Sequence, residues 1–136
     1  MKSIKYKKGY KYVLAEDYTC KVDIRPMQDI KTDYIDLLEN GTLTVKKYYA
    51  WDGTSGPTKD GKTNMRGSLI HDALYNLFRD EKISLKQRKQ ADLEFQKACL
   101  EDGMCKVRAW IDLVGLRQFG AYAASPENAP KIYEAP

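Results

Sequence analysis

The sequence predicts an α+β domain: a small N-terminal antiparallel sheet, then two antiparallel helices and a third C-terminal helix. Three observations point there. Apolar and polar residues alternate through the first part of the chain, as they do in half-buried strands. The dipeptide Asn40-Gly41 sits between two such runs. From Met65 onward the apolar spacing becomes that of helices.

The elements follow in order. Tyr10 to Leu14 and Tyr18 to Ile24 read as strands, with Glu16-Asp17 as the turn. Tyr18, Cys20, Val22 and Ile24 share one face of the second run, and Pro26 ends it. Tyr34 to Glu39 and Thr42 to Tyr49 flank Asn40-Gly41, which favours the positive backbone angles of a tight hairpin turn. Met65 to Arg79 is helical, with Asn64 able to cap it. Ser84 to Glu101 is a second helix, with Ser84 as N-cap and Gln87 completing a capping box. Asp80 to Ile83 is short enough to make these helices antiparallel neighbours. Gly103 ends the second helix. Val107 to Phe119 forms the third, with Trp110, Leu113 and Val114 facing inward. Residues 1–124 make one domain. Residues 125–136 carry three of the five prolines and form an extended tail.

Composition narrows the class. A chain of 136 residues supports one modest core. Its three cysteines, Cys20, Cys99 and Cys105, lack metal-type pairing and point away from a disulfide framework, towards a reducing compartment. The net charge of +4 permits anionic partners without demanding them. No run is long enough to span a membrane, and the N-terminus lacks the apolar stretch of a secretory signal. Residues 1–12 interleave lysines with Tyr6, Tyr10 and Tyr12. Such a run can track a nucleic-acid backbone, but it is short and isolated. It reads better as an edge strand whose lysines block further pairing, so a nucleic-acid partner is not expected.

The chemistry concentrates in Ser68-Leu69-Ile70-His71-Asp72-Ala73-Leu74-Tyr75, which holds the only histidine. On a helix, Ser68, His71 and Tyr75 share a face, while Asp72 points about 100° away. His71 therefore needs its acid partner from elsewhere. Asp92 falls on the apolar stripe of the second helix with Leu85, Phe95 and Cys99, and a buried lone carboxylate requires a partner. Two partners stay open from the pattern alone: His71 across the helix pair, or Arg88 one turn back. With His71, the carboxylate would fix the imidazole tautomer and leave the other nitrogen to act as a base on water. Asp72 looks towards the loop Trp51-Asp52-Gly53-Thr54-Ser55-Gly56-Pro57. Loop carbonyls beside a carboxylate make the oxygen-rich surroundings that calcium prefers. The expected metal set is Asp72 with Gly53, Trp51 and Ser55.

Other templates fit less well. A metal phosphohydrolase of the His-Asp type needs several histidines. A zinc site lacks its cysteine pairs. The glycine–serine spacing of the loop is not a nucleophile elbow. A Ser68–His71–Asp92 triad would put its nucleophile on a helix flank with poor access to substrate.

The pattern Gly53…Pro57…His71-Asp72-x-x-Tyr75…Asp92 resembles the phospholipase A2 active site. The resemblance implies His71 as base, Asp92 orienting it, Tyr75 as a supporting hydroxyl, and Asp72 with the Gly53 loop holding calcium. Ala91-Asp92 followed by Phe95 is similar to the disulfide-free viral capsid phospholipases. Two departures stand out. Trp51 to Gly56 is not the usual calcium-loop word, and strands replace the amphipathic N-terminal helix that binds lipid interfaces. No exposed apolar collar is read from the sequence.

Most of residues 10–120 also resembles a family of short phage and prophage proteins, the domain of unknown function numbered 1353. The shared words are Trp51 to Pro57, Ser68 to Tyr75, Ala91-Asp92 and Val114-Gly115-Leu116-Arg117-Gln118-Phe119-Gly120. This implies a bacteriophage origin and a place in the host cytoplasm or the virion. Two functions follow as expectations. One is a calcium-dependent hydrolase of lipid or carboxyl esters. The other is a non-enzymatic module that contacts phage structural proteins or the host, using the helix pair as a scaffold and the surface around Tyr48, Tyr49 and Trp51 as its interface.

Overall fold

A computed structural model describes residues 4–6, 11–54, 61–126 and 133–135. In chain order the strands before the helices are β1 (Ile4–Tyr6), β2 (Tyr12–Val13), β3 (Tyr18–Lys21), β4 (Ile30–Lys31), β5 (Ile35–Leu37), β6 (Thr42–Val45) and β7 (Ala50–Trp51). Then come α1 (Met65–Arg79), α2 (Arg88–Glu101), α3 (Lys106–Ala124) and a last strand, β8 (Tyr133–Ala135). The sheet-then-helices layout matches the expected α+β class.

The main sheet has the order β3-β6-β5-β4 and is antiparallel throughout. Its inner face carries Ile35, Leu37, Leu43 and Val45, all buried. The expected alternation after Tyr18 is present: Val22 and Ile24 are buried while Lys21 and Asp23 are exposed. Two small pairs stand apart, β2 with β7 and β1 with β8. The tail expected to run on as an extended segment is therefore paired at Tyr133–Ala135 with the start of the chain.

The hairpin turn differs in detail from the expected one. Leu38 N–H bonds Thr42 O at 2.9 Å and Gly41 N–H bonds Leu38 O at 2.9 Å. The loop thus has three residues, and Gly41 alone takes a positive φ, 88°. A two-residue turn would have needed Asn40 there too. Gly41 has a second reason to be glycine: a Cβ would stand 2.3 Å from Val22 O.

α1 spans the residues that periodicity predicts. Asn64 does not cap it; its side chain instead accepts from Gly61 N–H at 2.8 Å. Ser84 does cap, but on a short 3-10 turn, Leu85–Gln87, that precedes α2. Leu85 lies in that turn and is 48% exposed, so it leaves the stripe assigned to it. Gly103, at φ 99°, ends α2 as expected; Met104 N–H reaches back to Cys99 O at 2.9 Å. Trp110 was expected inside and is 62% exposed. Helical spacing shows that 107, 110, 111 and 114 form one stripe but not whether the core covers it.

α1 is the central helix. Only Asp72 and Asn76 break the burial between Gly67 and Phe78. Gly67 lies against Phe95 and Cys99, His71 against Asp92, and Tyr75 against Arg88. Rising numbers on α1 thus meet falling numbers on α2, which makes the helices antiparallel. Gly67 allows the approach, since a Cβ would meet Cys99 Sγ at 3.0 Å. Buried Glu94 ties α2 to the sheet side, accepting from Asp23 N–H at 3.2 Å. Among the described residues no helix is long and apolar enough to cross a membrane.

Candidate active site

The antiparallel pairing of α1 and α2 brings His71 and Asp92 together. His71 Nε2 lies 2.8 Å from Asp92 Oδ1. Tyr75, one turn after His71, donates its hydroxyl to the same oxygen at 2.6 Å. The other oxygen, Oδ2, accepts from Arg117 Nη1 at 2.9 Å and has Arg88 Nη1 at 3.5 Å. Both partners left open by the sequence are thus present: His71 across the pair and Arg88 one turn back. Asp92 is fully buried.

Burial alone would push the Asp92 carboxyl up. The bonds from His71 and Tyr75 outweigh it and hold the group below the usual carboxylate range. The ionised carboxylate can only accept hydrogen bonds. Nε2 of a neutral His71 must then carry the proton, and the lone pair falls to Nδ1. The ring is also fixed by packing: Tyr75 lies over it at a centroid distance of 4.0 Å, and Phe95 meets it edge-on at 5.7 Å. Burial first, and then Asp92, raises the Tyr75 hydroxyl pKa, so Tyr75 stays protonated and donates.

His71 stands in the wall of a cavity of about 350 Å³. α1 supplies its polar side, with Ser68, His71, Asp72 and Arg79. α3 supplies Ile111, Val114 and Leu116, with the polar Asp112 and Gln118 among them, and Gly53 and Thr54 come from the loop. A base in the wall of a mainly apolar cavity can activate a water against a bound carbonyl.

Asp72 reaches the same cavity but is already engaged. The turn through Tyr48, at φ 75°, leads into Tyr49, whose buried hydroxyl donates to Asp72 Oδ2 at 2.5 Å. Asn76 Nδ2 holds the Tyr49 oxygen at 2.8 Å, and Arg79 Nη2 donates to Asn76 Oδ1 at 3.2 Å. Burial is the main cause of a raised Asp72 pKa; the Tyr49 hydroxyl and the charge of Arg79 offset part of it.

The remaining metal candidates are placed unevenly. Gly53 lines the cavity at φ 83°. Trp51 is buried, is not part of the cavity wall, and spends its indole N–H on Ser68 Oγ at 3.0 Å. Ser68 in turn donates to Met65 O at 2.8 Å, so its proton is not directed at His71. Ser55 lies outside the described residues. Among the described residues no cluster of three or more His, Cys, Asp or Glu side chains forms a metal centre. Any cation would rest on Asp72 and backbone oxygens.

Sequence reasoning missed Arg117, Gly120, Tyr49 and Arg79. Gly120 sits against the dyad: a Cβ there would meet Tyr75 Oη at 2.4 Å and Arg88 Nη1 at 3.0 Å. The signal for α3 was available, since two glycines inside a helical pattern often mark a close approach. The interface imagined around Tyr48, Tyr49 and Trp51 does not exist as a surface, because only Tyr48 is exposed. No protein-family model matches this chain, and no curated protein or solved structure matches it either.

Proposed function

We propose that the protein is a phospholipase A2-like hydrolase of lipid or carboxyl esters, of bacteriophage origin, with His71 as general base. The observation that carries this reading is the buried Tyr75–Asp92–His71 arrangement, with Nε2 of the histidine bound and Nδ1 left as the acceptor in a cavity wall. Asp92 stabilises the imidazolium that forms when Nδ1 takes a proton from water. Tyr75 and Arg117 hold Asp92 in place. The apolar face of α3 excludes bulk water and receives the hydrocarbon part of the substrate.

Calcium belongs to the same proposal. Asp72 keeps one carboxylate oxygen, Oδ1, without a hydrogen-bond partner among the described residues, and Gly53 and Thr54 line the same cavity. One carboxylate oxygen, loop carbonyls and water suit a hard cation. When bound, it would polarise the ester carbonyl.

The second reading is a scaffold in a phage particle or host-interaction module. Its support is Arg117 and Arg88 on Asp92, which make the cluster a self-sufficient ionic joint between three helices. The discriminating experiment compares wild type with folded His71→Gln on a panel of phospholipids and simple esters, with and without calcium. Hydrolysis by wild type alone supports the enzyme. Silence of wild type across the panel supports the scaffold.

A further inference from the structure

Arg79 closes α1 and lines the same cavity as His71, two helical turns further on. Its Nη1 donates to Ala123 O at 3.0 Å and its Nη2 to Asn76 Oδ1 at 3.2 Å. Its Nε is shielded from solvent and has no hydrogen-bond partner. Among the described residues it forms no ion pair. A guanidinium has five N–H donors, and neutral acceptors hold two of them here. Asp72 is near enough to feel the charge of Arg79, but among the described residues no carboxylate touches the guanidinium, and a buried N–H without an acceptor is costly, so a bound anion would relieve it. Two acids share the cavity wall: Asp72, with one oxygen held by Tyr49, and Asp112, whose Oδ2 lies 4.0 Å from Arg108 Nε.

The apolar side of the cavity does not stop at its mouth. Ile111 belongs to the wall, yet it is 55% exposed, and Val107 and Trp110 continue the same stripe of α3 at 68% and 62%. An apolar track thus runs from the cavity wall to the surface. Arg79 and His71 are separated by about 12 Å along α1.

We propose that this cavity is a binding site for a single-chain anionic amphiphile. Arg79 holds its carboxylate or phosphate, and the hydrocarbon chain lies along Ile111, Val114 and Leu116. The site rests on the hydrolase reading only for its biological use: such a ligand would be the substrate or product of His71 chemistry. Its geometry stands without that.

The test is calorimetric binding of three probes to the wild-type protein, each below its micelle concentration: dodecyl phosphate, laurate and dodecanol. None contains a carboxylic ester, so turnover does not enter. At least one anionic probe binds about tenfold or more tighter than dodecanol, as a charge-assisted bond to arginine implies. Preference for the phosphate points to a lipid headgroup, and preference for laurate to a released fatty acid. Arg79→Gln brings the anionic probes to the level of dodecanol, Arg79→Lys keeps part of the preference, and Leu116→Trp removes all three by filling the wall. Equal affinity for the neutral probe overturns the proposal. So does no binding of any probe, or a preference that survives Arg79→Gln. Should Arg79→Gln not fold, the probe ranking on wild type decides alone. Binding with no ester hydrolysis would leave this site standing and remove the hydrolase.

Discussion

Arg117 Nη1 lies 2.9 Å from Asp92 Oδ2, the carboxylate oxygen that His71 and Tyr75 leave unused. One buried carboxylate therefore joins all three helices. Asp92→Asn keeps the shape but leaves two arginines without their counter-ion. Removing one partner of a buried ion pair costs about 3–5 kcal/mol, and the partial exposure of Arg117 puts this case at about 3. Urea unfolding at pH 7 checks it, and a loss under about 1 kcal/mol would show that Asp92 is not the joint. The acid limb has a defined sign. A carboxyl whose folded pKa lies below the usual carboxylate range contributes stability that is fully present above that range. The contribution is lost as pH falls through the folded pKa. Asp72 is shifted upward and acts in the opposite sense, so the comparison belongs in an Asp72→Asn background. There, adding Asp92→Asn flattens the loss of stability below about pH 4.

Asp72→Asn on its own separates burial from metal binding. The raised Asp72 pKa means that the charged form is disfavoured in the folded state. Without calcium, the asparagine variant should match or exceed wild-type stability at pH 7, since its side-chain oxygen can still accept from Tyr49. With calcium, wild type should gain thermal midpoint by mass action and the variant should not. Equal shifts in both, or none in either, count against a calcium role for Asp72.

The two helical glycines that line the cavity make a matched pair. At Gly120 a methyl would stand 2.4 Å from Tyr75 Oη, while at Gly115 it would meet nothing within 4 Å. Gly115→Ala should stabilise by about 0.5–1 kcal/mol through helix propensity. Gly120→Ala should destabilise by about 1–3 kcal/mol and displace the Tyr75 hydroxyl from Asp92. Thermal unfolding of both variants decides it. Similar effects at the two positions would mean that Gly120 is not a packing requirement.

How far the sequence could be read depended on the range of the interaction. α1 was legible to its ends because periodicity is local. The Asp92–His71 contact was legible because a carboxylate on an apolar stripe demands a partner, and the chain has one histidine. Arg117 was not, because an arginine in a helix normally reads as solvated, and only the packing of α3 on α2 turns it inward. Trp110 failed for the converse reason. Its stripe is genuinely helical, but an unpartnered apolar face and a buried one have the same spacing. Tyr49 was assigned to a surface because nothing local marks the positive φ at Tyr48, where glycine or asparagine would have been the signal.

The central claim is that Asp92 fixes His71 with its proton on Nε2 and leaves Nδ1 as the base. The single histidine makes this a one-residue spectrum. The protein is labelled with nitrogen-15 in its imidazole and examined by NMR at a pH where the ring is neutral. The expected result is a protonated Nε2, a bare Nδ1, and loss of that preference in folded Asp92→Asn. A neutral ring carrying its proton on Nδ1, or a tautomer mixture unchanged by Asp92→Asn, would contradict it.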